Sequence, residues 1–206
     1  MMNEILRLVV VVTACYLLGS IPFGVVFGRV LKGVDVRRHG STHTGGLNTL
    51  RVAGAPAGVL AALCDGGKGV AAILLAQACG PEFWSVPLAS LAAVVGHNWS
   101  LYIGFTGGLG LATLAGCVIL FRPEAIPLAA VIYGVLYLIL GNRPRAAAGA
   151  VLSLGPLLWA LGASESLIVL GILAGGASFV KHILEMRRGY GSRALTTGGA
   201  PGDGAT

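Results

Sequence analysis

Apolar runs alternate with short polar breaks along almost the whole chain. The runs begin near Ile5, Pro56, Phe83, Leu111, Ala125, Ala147 and Leu167. They end near Leu31, Ala78, Gly96, Phe121, Leu140, Leu161 and Val180. At membrane depth such a run must be helical, because a helix satisfies its own backbone in hydrocarbon. The pattern predicts an all-α, polytopic membrane helical bundle with about seven transmembrane helices. Several runs fall short of the roughly 20 apolar residues a perpendicular span needs, so neighbouring loops must supply a turn or some helices are only partly embedded. The first run is broken by Gly19-Ser20-Ile21-Pro22-Phe23-Gly24. Proline and glycine weaken the helix there and free backbone carbonyls. Such a break survives in a membrane only where protein covers it or a polar cavity adjoins it. It is therefore either a structural kink or a place where Ser20 and the opened backbone face a site.

Two polar breaks differ from simple turns. Gly33 to Gly54 reads GVDVRRHGSTHTGGLNTLRVAG and holds Asp35, Arg37, Arg38, His39, Ser41, His43, Asn48 and Arg51. A basic, glycine-rich loop offers backbone N–H groups and guanidinium groups to phosphate oxygens. Gly96 to Gly110 is the second, with His97 beside a glycine-rich turn that includes Gly107 and Gly108. Inside the second run, Asp65 and Lys68 stand three apart and share one helical face. An ionisable pair at that depth marks either a functional site or an ion pair that only positions the helix. The string DGGKG lacks the spacing of a nucleotide-binding phosphate loop.

Composition fits the pattern. Of 206 residues, 55% are hydrophobic and only 11% are charged, against about 25% charge in soluble domains. Mean hydropathy is +0.84. The net charge of +6 lies in the breaks between runs, as anchoring charge does, and does not point to nucleic acid. Cys15, Cys64, Cys79 and Cys117 lie in or beside apolar runs without a CxxC pair; neither disulfide framework nor metal site is indicated. The first run carries only Arg7 ahead of it, offset by Glu4, and lacks a small-residue cleavage site. It reads as a retained span.

Charge also orients the bundle. With seven spans, one side holds Lys32, Arg37, Arg38, Arg51, Arg143, Arg145, Lys181, Arg187, Arg188 and Arg193. The other holds Arg7 and Arg122 with Glu4, Glu82, Glu124 and Glu165. The positive-inside rule predicts the N-terminus outside and the C-terminus cytoplasmic, with both glycine-rich breaks on the cytoplasmic face. Residues 1–182 read as a single transmembrane domain. Residues 183–206 read as a cytoplasmic tail, disordered in its Gly/Ala/Thr-rich end.

Several strings in a fixed order resemble the bacterial acyl-phosphate-dependent glycerol-3-phosphate acyltransferases of the PlsY type. These are GSIPFG at Gly19–Gly24, KGVDVRRHGS at Lys32–Ser41, Asn48 with Arg51, Asp65 with Lys68-Gly69, and Gly96-His97 with Gly107-Gly108 and Ala112-Thr113. The resemblance covers about residues 14 to 192. It implies a multi-pass protein of the bacterial inner membrane with a cytoplasmic active face. It implies transfer of an acyl group from acyl-phosphate to the 1-hydroxyl of glycerol 3-phosphate, giving lysophosphatidic acid for phospholipid biosynthesis. It implies no metal, no cofactor and no acyl-enzyme cysteine. By the same resemblance Ser41 and His97 are candidate catalytic residues. Ser20, Gly40, His43, Gly45, Asn48, Arg51, Lys68, Gly107, Gly108 and His182 are candidate substrate-binding residues. Expected partners are the two substrates, membrane lipid and an acyl-phosphate-producing enzyme.

The chain departs from the family pattern at charged positions. His43 and His182 stand where the family has Asn, Leu47 where it has Thr, and Phe179 where it has His. Thr106 and Leu109 stand where it has lysines, and Gly191 where it has Glu. A neutral residue cannot supply the lost phosphate-binding charge. Arg143, Arg145, Lys181 and Arg187 are the cations available to replace it, and protonated His43 and His182 would restore part of it. Two other readings therefore stand beside the active enzyme. One is a catalytically weak or inactive paralogue that binds lipid phosphates or a membrane partner. The other is a transporter or channel using the broken first span.

Overall fold

The computed structural model describes residues 2–79 and 83–196, with side chains through Arg188. Among these residues the chain forms ten α-helices and two short 3-10 turns, the fold of an all-α membrane bundle. The helices are α1 (Met2–Ser20), α2 (Phe23–Lys32), α3 (Gly46–Ala53), α4 (Ala55–Ala78) and α5 (Ser85–Asn98). After them come α6 (Leu111–Ile119), α7 (Ala125–Leu140), α8 (Arg143–Leu152), α9 (Leu154–Ala160) and α10 (Glu165–Thr196). Among the described residues, three segments are long and apolar enough to cross a membrane unaided: Met2–Lys32, Ala55–Ala78 and Glu165–Arg188. The first contains the break, at Ile21 and Pro22 between α1 and α2.

Helix α5 is the centre of the bundle. It packs against α1, α4, α6 and α10. Its sequence, SVPLASLAAVVGHN, is small on most faces, and Ala89, Ala92, Ala93, Gly96 and His97 are all buried. Small residues let membrane helices approach closely, since lipid tails offer no hydrophobic drive to bring them together. Thus a side chain on Gly96 would meet the carbonyl of Tyr16 on α1, and one on Gly19 that of Ala93. Around this centre lies an apolar core of Ile73, Val94, Leu114, Val151, Leu158 and Leu170. Helix α7 lies at the periphery. Only Ala125 of it is buried, and Leu138 and Ile139 are exposed, as suits an apolar helix on the outer face of a membrane bundle.

Three expectations need amendment. The polar stretch from Gly33 to Gly54 is not one loop, because its second half is α3, whose Asn48 and Thr49 turn inward while Leu47 and Leu50 face out. The sixth apolar run is split at Ser153 into α8 and α9. The last helix does not stop near Val180 but continues to Thr196. Ion pairs from Glu185 to Lys181, at i,i+4, and to Arg188, at i,i+3, support that extension. The Gly/Ala/Thr-rich end and the turn at residues 80–82 lie outside the described residues.

Candidate active site

The site is built from the break in the first span outward. At the Pro22 break the Ile21 carbonyl keeps only the Phe23 N–H as a backbone donor, and the Lys68 ammonium on α4 donates to this carbonyl and to that of Gly19, both at 3.0 Å. Nζ also lies 2.8 Å from Asp65 Oδ1 and 3.1 Å from His97 Nδ1. Lys68 is 2% exposed and Asp65 1%, so this is a fully buried ion pair. Asp65 Oδ1 also lies 3.5 Å from His97 Nδ1, so the carboxylate faces both the ammonium and the imidazole. Breaking such a pair costs about 3–5 kcal/mol, because the remaining charge is stranded.

His97 ends α5 within this cluster. Its Nδ1 is nearer the ammonium (3.1 Å) than the Asp65 carboxylate (3.5 Å). Nδ1 is within reach of both groups, and the tautomer sets whether it accepts from the ammonium or donates to the carboxylate. Nε2 faces the glycine turn, where a Cβ on Gly108 would lie 2.2 Å from it and one on Gly107 would lie 2.2 Å from the His97 carbonyl. Only glycine fits there. The turn is closed by the Gly108 N–H donating to the His97 carbonyl and the Ser100 N–H to Thr106. Ser100 Oγ donates to the Ser20 carbonyl, tying the turn to the break.

The first glycine-rich stretch is folded by Asn48. Its amide nitrogen is within 2.9 Å of the Val36 and His43 carbonyls and 3.2 Å of that of His39. Its Oδ1 accepts the Ser41 N–H at 2.9 Å. Gly40 is left-handed (φ 61°), and a Cβ there would meet Asn48 Oδ1 at 2.4 Å. Both features demand glycine. Asp35 starts the preceding turn. It accepts the Arg37 N–H, binds the Arg37 guanidinium through both oxygens (2.9 and 2.6 Å), and receives Arg29 at 2.9 Å. The Arg37 guanidinium, with some help from Arg29, holds the Asp35 carboxyl well below the usual carboxylate range, and Asp35 in turn raises Arg37.

Between the two glycine-rich stretches and α10 opens a cavity of about 270 Å³. Arg37, Arg38, Thr42 and His43 line it from the first stretch, Ile103, Thr106 and Gly107 from the second, and Lys181, Glu185 and Arg188 from α10, with Asp35 beside Arg37. Burial pushes His43 below the ordinary histidine range, with Glu185 opposing and Lys181 and His182 adding to the shift. His43 is thus a neutral lining residue near neutrality.

Nine of the twelve expected site residues fall into three sets. His43 and Gly107 line the cavity. Lys68, His97, Gly108 and Ser20 form the buried layer below the turn, where the Ser20 hydroxyl donates to the Tyr16 carbonyl. Asn48, Gly40 and Gly45 shape the first stretch, with Gly45 preceding α3. Ser41 and Arg51 are exposed and outside the cavity lining. His182 is buried behind the cavity, its Nδ1 2.8 Å from the Ser178 carbonyl. Of the cations considered as replacements, only Lys181 reaches the cavity; Arg143 lies over the Tyr137 ring, and Arg145 and Arg187 are exposed. Thr106 is in the lining, and Leu109 is not. Glu185 and Arg188 were missed. The spacing of Lys181, Glu185 and Arg188 at i, i+4 and i+7, one helical face, was the available signal.

Residues 9–190 match the family model described as glycerol-3-phosphate acyltransferase. A glycerol-3-phosphate acyltransferase 2 of Moorella thermoacetica is 48% identical over 111 residues, 54% of this chain and 57% of that protein. A glycerol-3-phosphate acyltransferase of an Anaeromyxobacter species is 43% identical over 141 residues, 66% of this chain and 69% of its own length. The matched part thus spans little more than half of the Moorella relative. Two crystal structures of PlsY (YgiH), described as an integral membrane glycerol 3-phosphate acyltransferase, are 30% identical. Each covers 90% of this chain and 93% of that one. TM-scores are 0.76 for the glycerol 3-phosphate form and 0.74 for the lysophosphatidic acid form. The motif order, the bundle and these matches together make the chain a member of the glycerol-3-phosphate acyltransferase family.

Proposed function

We propose that the protein is an acyl-phosphate-dependent glycerol-3-phosphate acyltransferase of the bacterial inner membrane. The acceptor's 1-hydroxyl oxygen attacks the acyl carbonyl carbon, an ester bond forms, the bond from that carbon to the phosphate-bridging oxygen breaks, phosphate leaves with that oxygen, and the hydroxyl proton ends on the released phosphate. The products are phosphate and lysophosphatidic acid, and the lysophosphatidic acid enters phospholipid biosynthesis. The observation that carries this reading is the cavity with four cations set against a glycine turn whose underside is His97. Such a place binds phosphate groups by charge and backbone N–H.

The bundle reaches seven spans if α1–α2, α4, α5, α6, α7, α8–α9 and α10 each cross. The basic asymmetry then places the N-terminus outside and the cavity on the cytoplasmic face. Residues 1–182 act as one transmembrane domain, and an acyl-phosphate-producing enzyme is the expected supplier of the donor.

A weak or inactive paralogue that binds lipid phosphates is the second reading, favoured by the neutral Thr106 on the cavity wall. One assay separates the two. Purified protein in lipid receives acyl-phosphate and glycerol 3-phosphate, and phosphate release and lysophosphatidic acid are followed together. Acceptor-dependent release establishes the enzyme. Binding without release establishes the paralogue.

A further inference from the structure

Lys181, Glu185 and Arg188 turn one face of α10 to the cavity. Glu185 Oε1 lies 3.0 Å from Lys181 Nζ and 3.0 Å from Arg188 Nη1, and its other oxygen is 3.7 Å from His43 Nε2. The Lys181 side chain is only 3% exposed. A cation so buried needs a counter-charge whenever the cavity is empty. Opposite, Asp35 occupies Arg37, and Arg38 has no side-chain partner among the described residues.

The lining therefore has a definite charge. Arg37, Arg38, Lys181 and Arg188 against Asp35 and Glu185 give 4 − 2 = +2 with His43 neutral. That is the complement of a phosphomonoester, which carries about −1.5 to −2 near neutrality. We propose that Glu185 is a specificity-determining residue, an internal counter-anion that holds Lys181 and Arg188 and yields them to a phosphomonoester dianion but not to a monoanion. This rests on the acyltransferase reading for the identity of the ligand. A dianion meets both cations with charge-assisted hydrogen bonds and leaves the cavity neutral even with Glu185 ionised. A monoanion offers too little charge to displace the carboxylate. The residue thus sets affinity as well as choice, because every ligand competes with it.

Glu185→Gln tests this, since glutamine keeps the length and the acceptor oxygen and removes the charge. Binding of inorganic phosphate, glycerol 3-phosphate and the monoanion glycerate is measured by calorimetry on full-length purified protein. The variant is expected to bind both phosphates at least about tenfold tighter, and to bind glycerate measurably where the parent does not. Glu185→Met, of similar length, is expected to shift affinity in the same direction, so poor folding of one variant does not decide the matter. In a Lys181→Met background the gain from Glu185→Gln is expected to fall below about threefold, because the contested cation is gone. A purely structural tie would instead give variants that bind phosphate no better than the parent, and that result overturns the proposal. So does a parent and variant that both fail to bind phosphate. Turnover of acyl-phosphate by the parent, measured in parallel, separates failure of this inference from failure of the acyltransferase reading.

Discussion

Lys68 Nζ stands 3.0 Å from the carbonyl oxygen of Ile21, 47 residues earlier in the chain. The contact joins the two features that most break the apolar pattern, the proline-interrupted first span and the charged pair of the second. Each satisfies the other. The broken helix supplies acceptors for a buried ammonium, and the ammonium adds a donor to the Gly19 carbonyl and to the Ile21 carbonyl, which also accepts the Phe23 N–H. Replacing Lys68 by Met is expected to lower stability by about 3–5 kcal/mol, because Asp65 is then an unpaired buried charge. Adding Asp65→Leu is expected to recover part of that loss, though not the donors to Gly19 and Ile21. Thermal unfolding of the purified variants in one detergent is the measurement. Equal stability of the double and single variants would show that Asp65 is not the source of the cost.

Asn48 gives a second prediction. It organises the first glycine-rich stretch through contacts to four backbone groups. Asn48→Ala strands those groups, at about 1–3 kcal/mol for each buried group left unsatisfied. The expected result is proteolytic cleavage between Arg37 and Leu47 in the variant under conditions where the parent is intact. Weaker acceptor binding should accompany it, since Arg37, Arg38 and His43 lose their shared frame. Asn48→Asp should not rescue, because a carboxylate cannot donate to carbonyls.

The periodicity of apolar runs gave nearly every helix, since burial in lipid leaves the chain little choice but to pair its backbone locally. It missed the split at Ser153, although Ser153 and the Gly155-Pro156 pair just after it are a breaker signal within the apolar run. It also missed α3, whose eight residues mix Asn, Thr and Arg with leucine. The site was legible as two glycine-rich stretches and an acid–base pair. What sequence could not give was which cations converge. Arg51 and Arg188 look alike in the chain, yet only Arg188 reaches the cavity. That outcome depends on the rotation of α10 about its axis and on α3 standing where a loop was expected. Whether a histidine replaces lost lysine charge was likewise not readable, since burial decides the protonation state of His43.

Thr106 and Leu109 separate by the same logic. Thr106 is in the cavity wall, and Leu109 is half-buried outside it, its carbonyl accepting from the Ser178 hydroxyl. Thr106→Lys adds a cation to the lining and is expected to lower the KM for glycerol 3-phosphate about tenfold or more, an effect of about 1.4 kcal/mol. Leu109→Lys is expected to leave KM within about threefold, its charge falling outside the lining. Steady-state kinetics of both variants at one ionic strength decides this, because salt screens such contacts. A larger effect at Leu109 than at Thr106 would place the phosphate elsewhere.

The last prediction concerns protons on His43. Burial lowers its pKa from the ordinary 6.5, and the nearby Glu185 carboxylate only partly opposes this. The folded state therefore binds a proton less readily than the unfolded chain does. Stability contributed by the neutral ring is fully present above pH 6.5 and declines as the pH falls through and below that value, where the unfolded state takes up a proton that the folded state refuses. In His43→Asn that part of the decline should vanish, so the two unfolding curves should converge as the pH is lowered if the parent is the more stable at pH 8. The same neutrality bears on ligand binding. If His43 carried charge in place of the missing lysines, its advantage over Asn would grow as the pH fell from 8 to 6.5. With the ring neutral over that range, the ratio of parent to variant affinity for glycerol 3-phosphate should stay constant within about twofold. Phosphate itself gains a proton near pH 6, but it does so equally for both proteins, so the ratio cancels it. A ratio rising tenfold between pH 8 and 6.5 would make His43 a cation of the site and would remove the basis for assigning that work to Arg38, Lys181 and Arg188.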